Sequence, residues 1–146
     1  MNIRIMTISD YKEIYSLWLS TPNMGLNNID DSKDGIAKYL ARNPNTCFVA
    51  EEDNAIIGVI LSGHDGRRGY IYHMAVAQNK QRQGVGESLL NAAMSALESE
   101  GISKVALVAY DKNEKGNNFW EKQEFITRPD LVYRNKAIVE LTSIDT

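Results

Sequence analysis

Apolar side chains recur along this chain in two rhythms, and the points where one gives way to the other divide it into elements. Ile3 to Thr7 alternates and reads as a strand. Ser9 then caps a helix whose apolar face is Tyr11, Ile14, Tyr15 and Trp18, ended by Ser20-Thr21-Pro22-Asn23. A polar loop through Asn27-Asn28 leads to a second cap at Asp31-Ser32, and Ile36, Tyr39 and Leu40 mark a second helix that stops at Asn43-Pro44. Cys47–Ala50 and Ala55–Leu61 read as strands joined by the turn Asp53-Asn54; Asp65-Gly66 turns the chain into a further strand, Gly69–Val76. Val85, Leu89, Ala93 and Leu97 return to helical spacing until Gly101 stops them. Lys104–Ala109 predicts a buried strand, a parallel partner for Gly69–Val76. A short helix at Asn117–Lys122 and strands at Ile126–Arg128 and Lys136–Leu141 complete the order βααβββαβαββ, an α+β pattern with a mixed sheet.

The densest chemical signal lies between the Gly69–Val76 strand and the long helix, at Gln81-Arg82-Gln83-Gly84-Val85-Gly86. Two glycines at a helix start let a ligand approach the backbone with no Cβ in the way. The unpaired N–H groups of the first turn and the positive end of the helix dipole make an anion site. A mononucleotide P-loop would need Lys then Ser or Thr after the last glycine, where Glu87-Ser88 stand. A dinucleotide loop would need Gly or Ala at Leu89 and an acidic residue where Ala109-Tyr110 stand.

What remains, Gln-x-x-Gly-x-Gly opening a helix after a mid-chain strand, resembles the pyrophosphate motif of the GCN5-related N-acetyltransferase (GNAT) superfamily. A second block, Asn113 to Phe125, resembles that family's later segment at Asn113, Gly116, Phe119 and Phe125, with Glu124 in place of the usual glycine and Trp120 in place of the usual tyrosine. The resemblance covers most of the chain in element order. It implies one domain over residues 1–146, layered α/β/α around a mostly antiparallel sheet with a splayed parallel pair. It further implies an acetyl-CoA-dependent N-acetyltransferase. Gln81, Arg82, Gln83, Gly84, Val85, Gly86, Glu87 and Ser88 would hold the diphosphate. Met74, Ala75 and Val76 would pair with the pantetheine arm, an amide near Met74–Ala75 would be the oxyanion donor, and Asn113, Gly116, Phe119 and Trp120 would flank the arm.

Acetyl transfer to an amine needs a base, because a lysine-like ammonium has a pKa of about 10.4. It also needs a preorganised oxyanion donor and gains from an acid at the departing thiolate. The strand slots where relatives place a base fall on Tyr70 and Tyr72, and a phenol is a poor base at neutral pH. His73 is the better base chemically, but strict alternation points it away from the face of Tyr70 and Tyr72 unless a bulge intervenes. For the acid, Trp120 offers an N–H donor and no usable proton, so Tyr110 and Tyr133 are the substitutes. Cys47 inside an apolar strand reads as a buried structural thiol, which favours direct transfer in a ternary complex. His64, at a hairpin tip, reads as solvated, and neither histidine has partners at metal-ligand spacing.

Composition narrows the rest. A formal charge of −3 and a pI near 5.4 over 146 residues disfavour nucleic acid as a partner. One cysteine rules out internal disulfides, and no stretch approaches a membrane span or a signal peptide, so a cytoplasmic protein is expected. In the resembled fold the acceptor cleft borders the loop holding Met24, Leu26, Asn27, Asn28, Asp30 and Asp31, whose carboxylates either attract a cationic amine or only cap and solvate. Arg67-Arg68 and the patch Arg128, Asp130 and Tyr133 are equally open to two readings. The acceptor is expected to be a small-molecule or peptide amine, and a homodimer accords with family habit. Two other readings stay open: a non-catalytic acyl-CoA sensor, and an enzyme that modifies protein N-termini or lysines.

Overall fold

The computed structural model describes residues 1–144. Its elements are β1 (Asn2–Ile5), α1 (Tyr11–Leu19), α2 (Lys33–Arg42), β2 (Phe48–Glu52), β3 (Ala55–His64), β4 (Gly69–Val76), α3 (Val85–Ser99), β5 (Val105–Ala106) and α4 (Glu114–Lys122). They follow the expected order as far as the last helix. The five strands form one sheet in the order β1-β2-β3-β4-β5, antiparallel except for the parallel pair β4 and β5.

The sheet is covered on both faces. Ile14, Trp18, Ile36 and Leu40 of α1 and α2 pack with Val49, Val59 and Leu61 on one side. Val85, Leu89 and Ala93 of α3 pack with Ala50, Ile57, Ile60 and Ile71 on the other, where Phe119 and Trp120 of α4 join them. Coverage on both faces explains why Ile57 to Gly63 of β3 is buried at every position and why the strand does not alternate with polar residues from Ile57 to Leu61.

Helix starts differ from expectation where side chains from elsewhere intervene. Ser9 does not cap α1. Asp10 accepts the Thr7 N–H at 2.9 Å and a bidentate pair from Arg4 of β1 at 2.8 Å, so a short 3-10 turn precedes a helix that begins at Tyr11. Ser32 caps α2 as expected, accepting the Gly35 N–H at 3.0 Å. The last helix starts three residues early because Asn113 caps it.

The C-terminal third departs most. The expected strand Lys104–Ala109 pairs with β4 only at Val105 and Ala106, opposite Gly69 and Tyr70, and then leaves the sheet. Ile126–Arg128 and Lys136–Leu141 belong to no strand. Alternating apolar residues make a segment fit for a sheet, but a strand needs a neighbour, and once β5 swings away this segment has none in its own chain. Its side chains are exposed, Ile138 at 99%. The segment is tied back only at its end, where Ile144 N–H donates to the Leu26 carbonyl at 2.9 Å and Asn28 N–H to the Thr142 carbonyl at 3.0 Å.

Candidate active site

The early departure of β5 leaves the edge of β4 from Ile71 to Val76 with no strand beside it, so its main-chain groups are free for a ligand that pairs as a strand would. That edge runs into the glycine loop. Gly84 adopts φ +80° with nothing within 4 Å of where a Cβ would stand, while buried Val85 pins the following turn to the core. The Ser88 N–H to Gly84 carbonyl bond, at 3.0 Å, is the first return into α3, which leaves the amides of Val85, Gly86 and Glu87 directed out of the helix end. Gln81, Arg82 and Gln83 are exposed, and Gln81 Nε2 donates to the Val76 carbonyl at 3.3 Å, tying loop to strand. The donor set suits paired phosphates.

Met74 and α4 border the same place. A carbon added at Gly86 would stand 3.3 Å from Phe119 and 3.5 Å from Met74. Asn113 Oδ1 accepts the Gly116 N–H at 3.0 Å, and a Cβ at Gly116 would stand 2.5 Å from Asn113 Nδ2, so the close cap requires glycine there. Trp120 lies edge-on between Phe119 (5.0 Å) and Phe125 (5.2 Å) and partly packs on the core. Its ring is structural first.

On the other side of β4 a bulge changes the chemistry. Val59 opposes Ala75 while Leu61 opposes Tyr72, so Ile60 faces two residues, His73 and Met74. His73 takes φ +43°, the left-handed region. The extra residue reverses the alternation: Tyr70, Tyr72 and His73 share the face of α1 and α2, and Met74 turns to the face of α3. His73 Nε2 lies 2.8 Å from Asp31 Oδ1, and the Asp31 side chain is only 4% exposed. Asp31 Oδ2 accepts the Asn27 N–H at 2.8 Å, and Tyr11 donates to the Asp31 carbonyl at 2.7 Å. An ionised carboxylate only accepts, so neutral His73 carries its proton on Nε2 and its lone pair on Nδ1. The sole buried side-chain N or O without a partner among the described residues is the Tyr39 hydroxyl, so Nδ1, which has no hydrogen-bond partner, is not fully buried in a side chain that is 15% exposed. Trp18, fully buried, donates its indole N–H to the His73 carbonyl at 3.0 Å. Because that peptide is trans, the Met74 N–H points the opposite way.

The sequence offers His73 as a candidate base but gives neither Asp31 as its partner nor Trp18 and Tyr11 as supports. The only signal for Asp31 was a carboxylate in a loop 42 residues away. Burial pushes the Tyr70 phenol up to about 12, with Tyr133 and Tyr72 adding to it, and burial first, then Tyr133, raises Tyr72. Both therefore stay protonated at neutral pH, with even less phenolate present to act as a base than an ordinary tyrosine has. Tyr110 is half exposed and packs against Gly25, its main-chain carbonyl accepting from Asn117 Nδ2 at 2.9 Å. His64 is not simply solvated: Nε2 meets Glu100 at 2.8 Å and Nδ1 accepts the Gly66 N–H at 2.9 Å. Cys47 is fully buried, donates to the Ser62 carbonyl at 3.2 Å, and burial pushes its thiol up to about 12, which leaves it inert as a nucleophile. Among the described residues no group of three or more His, Cys, Asp or Glu side chains is placed to hold a metal ion, and no helix is long and apolar enough to cross a membrane.

A mixed sheet splayed beside a bulged strand, with an anion loop at the head of the next helix, is the framework of an acyl-transfer domain. The chain belongs to the acetyltransferase (GNAT) family, whose model matches residues 11–125. It is 26% identical over 140 residues to an acetyltransferase of Yersinia enterocolitica, covering 96% of this chain and 98% of the relative. Among solved structures it resembles the PaiA N-acetyltransferase of Thermoplasma acidophilum in complex with coenzyme A (TM-score 0.73, 17% identity, 84% of this chain and 87% of the other). It also resembles an aminoglycoside acetyltransferase from an uncultured soil metagenomic sample in complex with sisomicin (TM-score 0.71, 22% identity, 94% and 96%). At these identities the structural likeness speaks for the fold.

Proposed function

We propose that this chain moves an acetyl group from acetyl-CoA to a primary amine by direct attack in a ternary complex, within a single domain. The observation that carries this reading is the His73–Asp31 pair, seated on the bulge of the same strand whose other edge the departure of β5 leaves free. Amides of Val85, Gly86 and Glu87 bind the diphosphate, the Ser88 amide being held by the Gly84 carbonyl; Gly84 gives the phosphates room, and the free edge at Met74 to Val76 pairs with the pantetheine arm. The coenzyme A complex of the Thermoplasma relative supports a carrier of this class.

His73 Nδ1 takes the proton from the attacking ammonium, and Asp31 holds the imidazole in the required tautomer and stabilises the imidazolium that forms. As nitrogen bonds to the thioester carbon, negative charge on the carbonyl oxygen meets the Met74 N–H, whose direction Trp18 sets through the His73 carbonyl. The carbon–sulfur bond then breaks and the thiolate leaves. Tyr110 and Tyr133 are the side chains available to protonate it, and Trp120 serves packing. The exposed row from Ile126 to Leu141 supports a homodimer.

The test is calorimetry with acetyl-CoA, followed by thiol release across a panel of small amines and peptides. Binding with turnover of small amines is the expected result. Binding with no turnover on any acceptor would mark a sensor, and turnover of peptides alone would mark a protein-modifying enzyme.

A further inference from the structure

We propose that Tyr70 and Tyr72, with Asp30 at their margin, form a cation-binding wall that selects acceptors bearing a positive charge in addition to the amine that reacts. The inference rests on the amine-acceptor reading above and names the acceptor class.

The bulge of β4 brings the wall and the base together. With strict alternation Tyr72 and His73 would face opposite sides of the sheet; the extra residue puts both on one side, their ring centroids 6.2 Å apart. Tyr70 and Tyr72 lie 4.6 Å apart, tilted by 40°, and Tyr39 meets Tyr72 edge-on at 5.9 Å and 89°. Tyr39 is held on the inner side, its hydroxyl buried, so the pair is backed by protein while Tyr72 stays 44% exposed. A tyrosine face turned to water attracts cations through its quadrupole, within about 6 Å of the ring centre. Both phenols remain neutral, since burial raises them above the ordinary value.

Charge beside the wall has the same preference. Asp31 is committed to His73, but Asp30 forms no ion pair with lysine or arginine among the described residues; its carboxylate accepts only from Asn27 Nδ2, at 2.9 Å. Its charge is felt at Tyr72, where it follows burial and Tyr133 in raising the phenol. An apolar acceptor laid on Tyr72 would desolvate Asp30 with nothing in return, whereas a cation satisfies both. The wall and the base therefore fit a linear diamine, with one nitrogen at His73 and the other on the rings.

Cadaverine and pentylamine, the same carbon chain with two amines or one, are titrated into the protein while tyrosine ring signals are followed by NMR. Cadaverine is expected to bind at least about fivefold tighter. Tyr72→Phe should keep that advantage, and Tyr72→Leu and, separately, Asp30→Asn should remove most of it. Equal binding of the two amines, binding of neither, or an advantage that survives both Tyr72→Leu and Asp30→Asn would overturn the proposal. Asp30→Asn alters an exposed loop, so it decides the matter if Tyr72→Leu unfolds. Failure of acetyl transfer to every amine, with the cadaverine advantage intact, would sink the transfer reading and leave the wall standing.

Discussion

His73 is held from three sides, and each hold does something different to its chemistry. Asp31 sets the tautomer, the bulge sets the face, and Trp18 fixes the carbonyl that follows. A residue at φ +43° costs on the order of 1–3 kcal/mol and persists only where its surroundings over-determine it. His73→Ala is expected to lower kcat by about 10²- to 10⁴-fold, the range for loss of a general base, with calorimetric affinity for acetyl-CoA unchanged. Asp31→Asn should cost nearly as much: an amide can donate to Nε2, which moves the ring proton to Nδ1 and removes the lone pair that takes the substrate proton. If Asp31→Asn transferred acetyl at the parental rate, the pair would have no part in proton transfer.

At the scale of elements, two helix starts can be tested, one at the proposed carrier site and one in the supporting fold. The head of α3 is an exposed loop pinned by Val85, so Gly84→Asp should leave the melting temperature within a few degrees yet abolish acetyl-CoA binding, because a carboxylate enters the phosphate space and φ +80° suits it poorly. Undiminished calorimetric binding in that variant would move the phosphates elsewhere. The head of α1 is held by the Arg4–Asp10 pair, and Arg4, more than Thr7, keeps the Asp10 carboxyl below its ordinary 3.8. A carboxyl lowered in the folded state stabilises the fold above its unfolded pKa and loses that contribution as pH falls through the folded one. Asp10→Asn should therefore destabilise the protein by about 1 kcal/mol at neutral pH, after allowance for the partly exposed guanidinium. Thermal melts should show the gap between parent and variant closing below about pH 4.

For the whole molecule, the telling feature is the apolar row that β5 abandons. Ile126, Val132, Tyr133, Ile138 and Val139 are all exposed along one segment, apolar side chains that a second copy would cover. Analytical ultracentrifugation should give twice the chain mass of 16.4 kDa, and Ile138→Asp should shift it toward the single chain. A parent that sediments as one chain at every concentration would remove the homodimer from the proposal.

The alternation and helical spacing of residues 3–100 were enough to determine the elements through α3, because local periodicity reports which face of each element is buried. The glycine pair at 84 and 86 and the Asn113–Gly116 spacing were likewise legible as the marks of the proposed carrier site, since close backbone approach admits few residue types. Alternation at Ile126–Arg128 and Lys136–Leu141 predicts strands, because it reports fitness for a sheet and not the presence of a neighbour. Whether that segment finds a neighbouring strand was decided by where β5 leaves the sheet, a non-local event. The tertiary structure alone decided the face of His73 and its pairing with Asp31, because one extra residue in β4 reverses a two-residue alternation and because the partner comes from a loop 42 positions away.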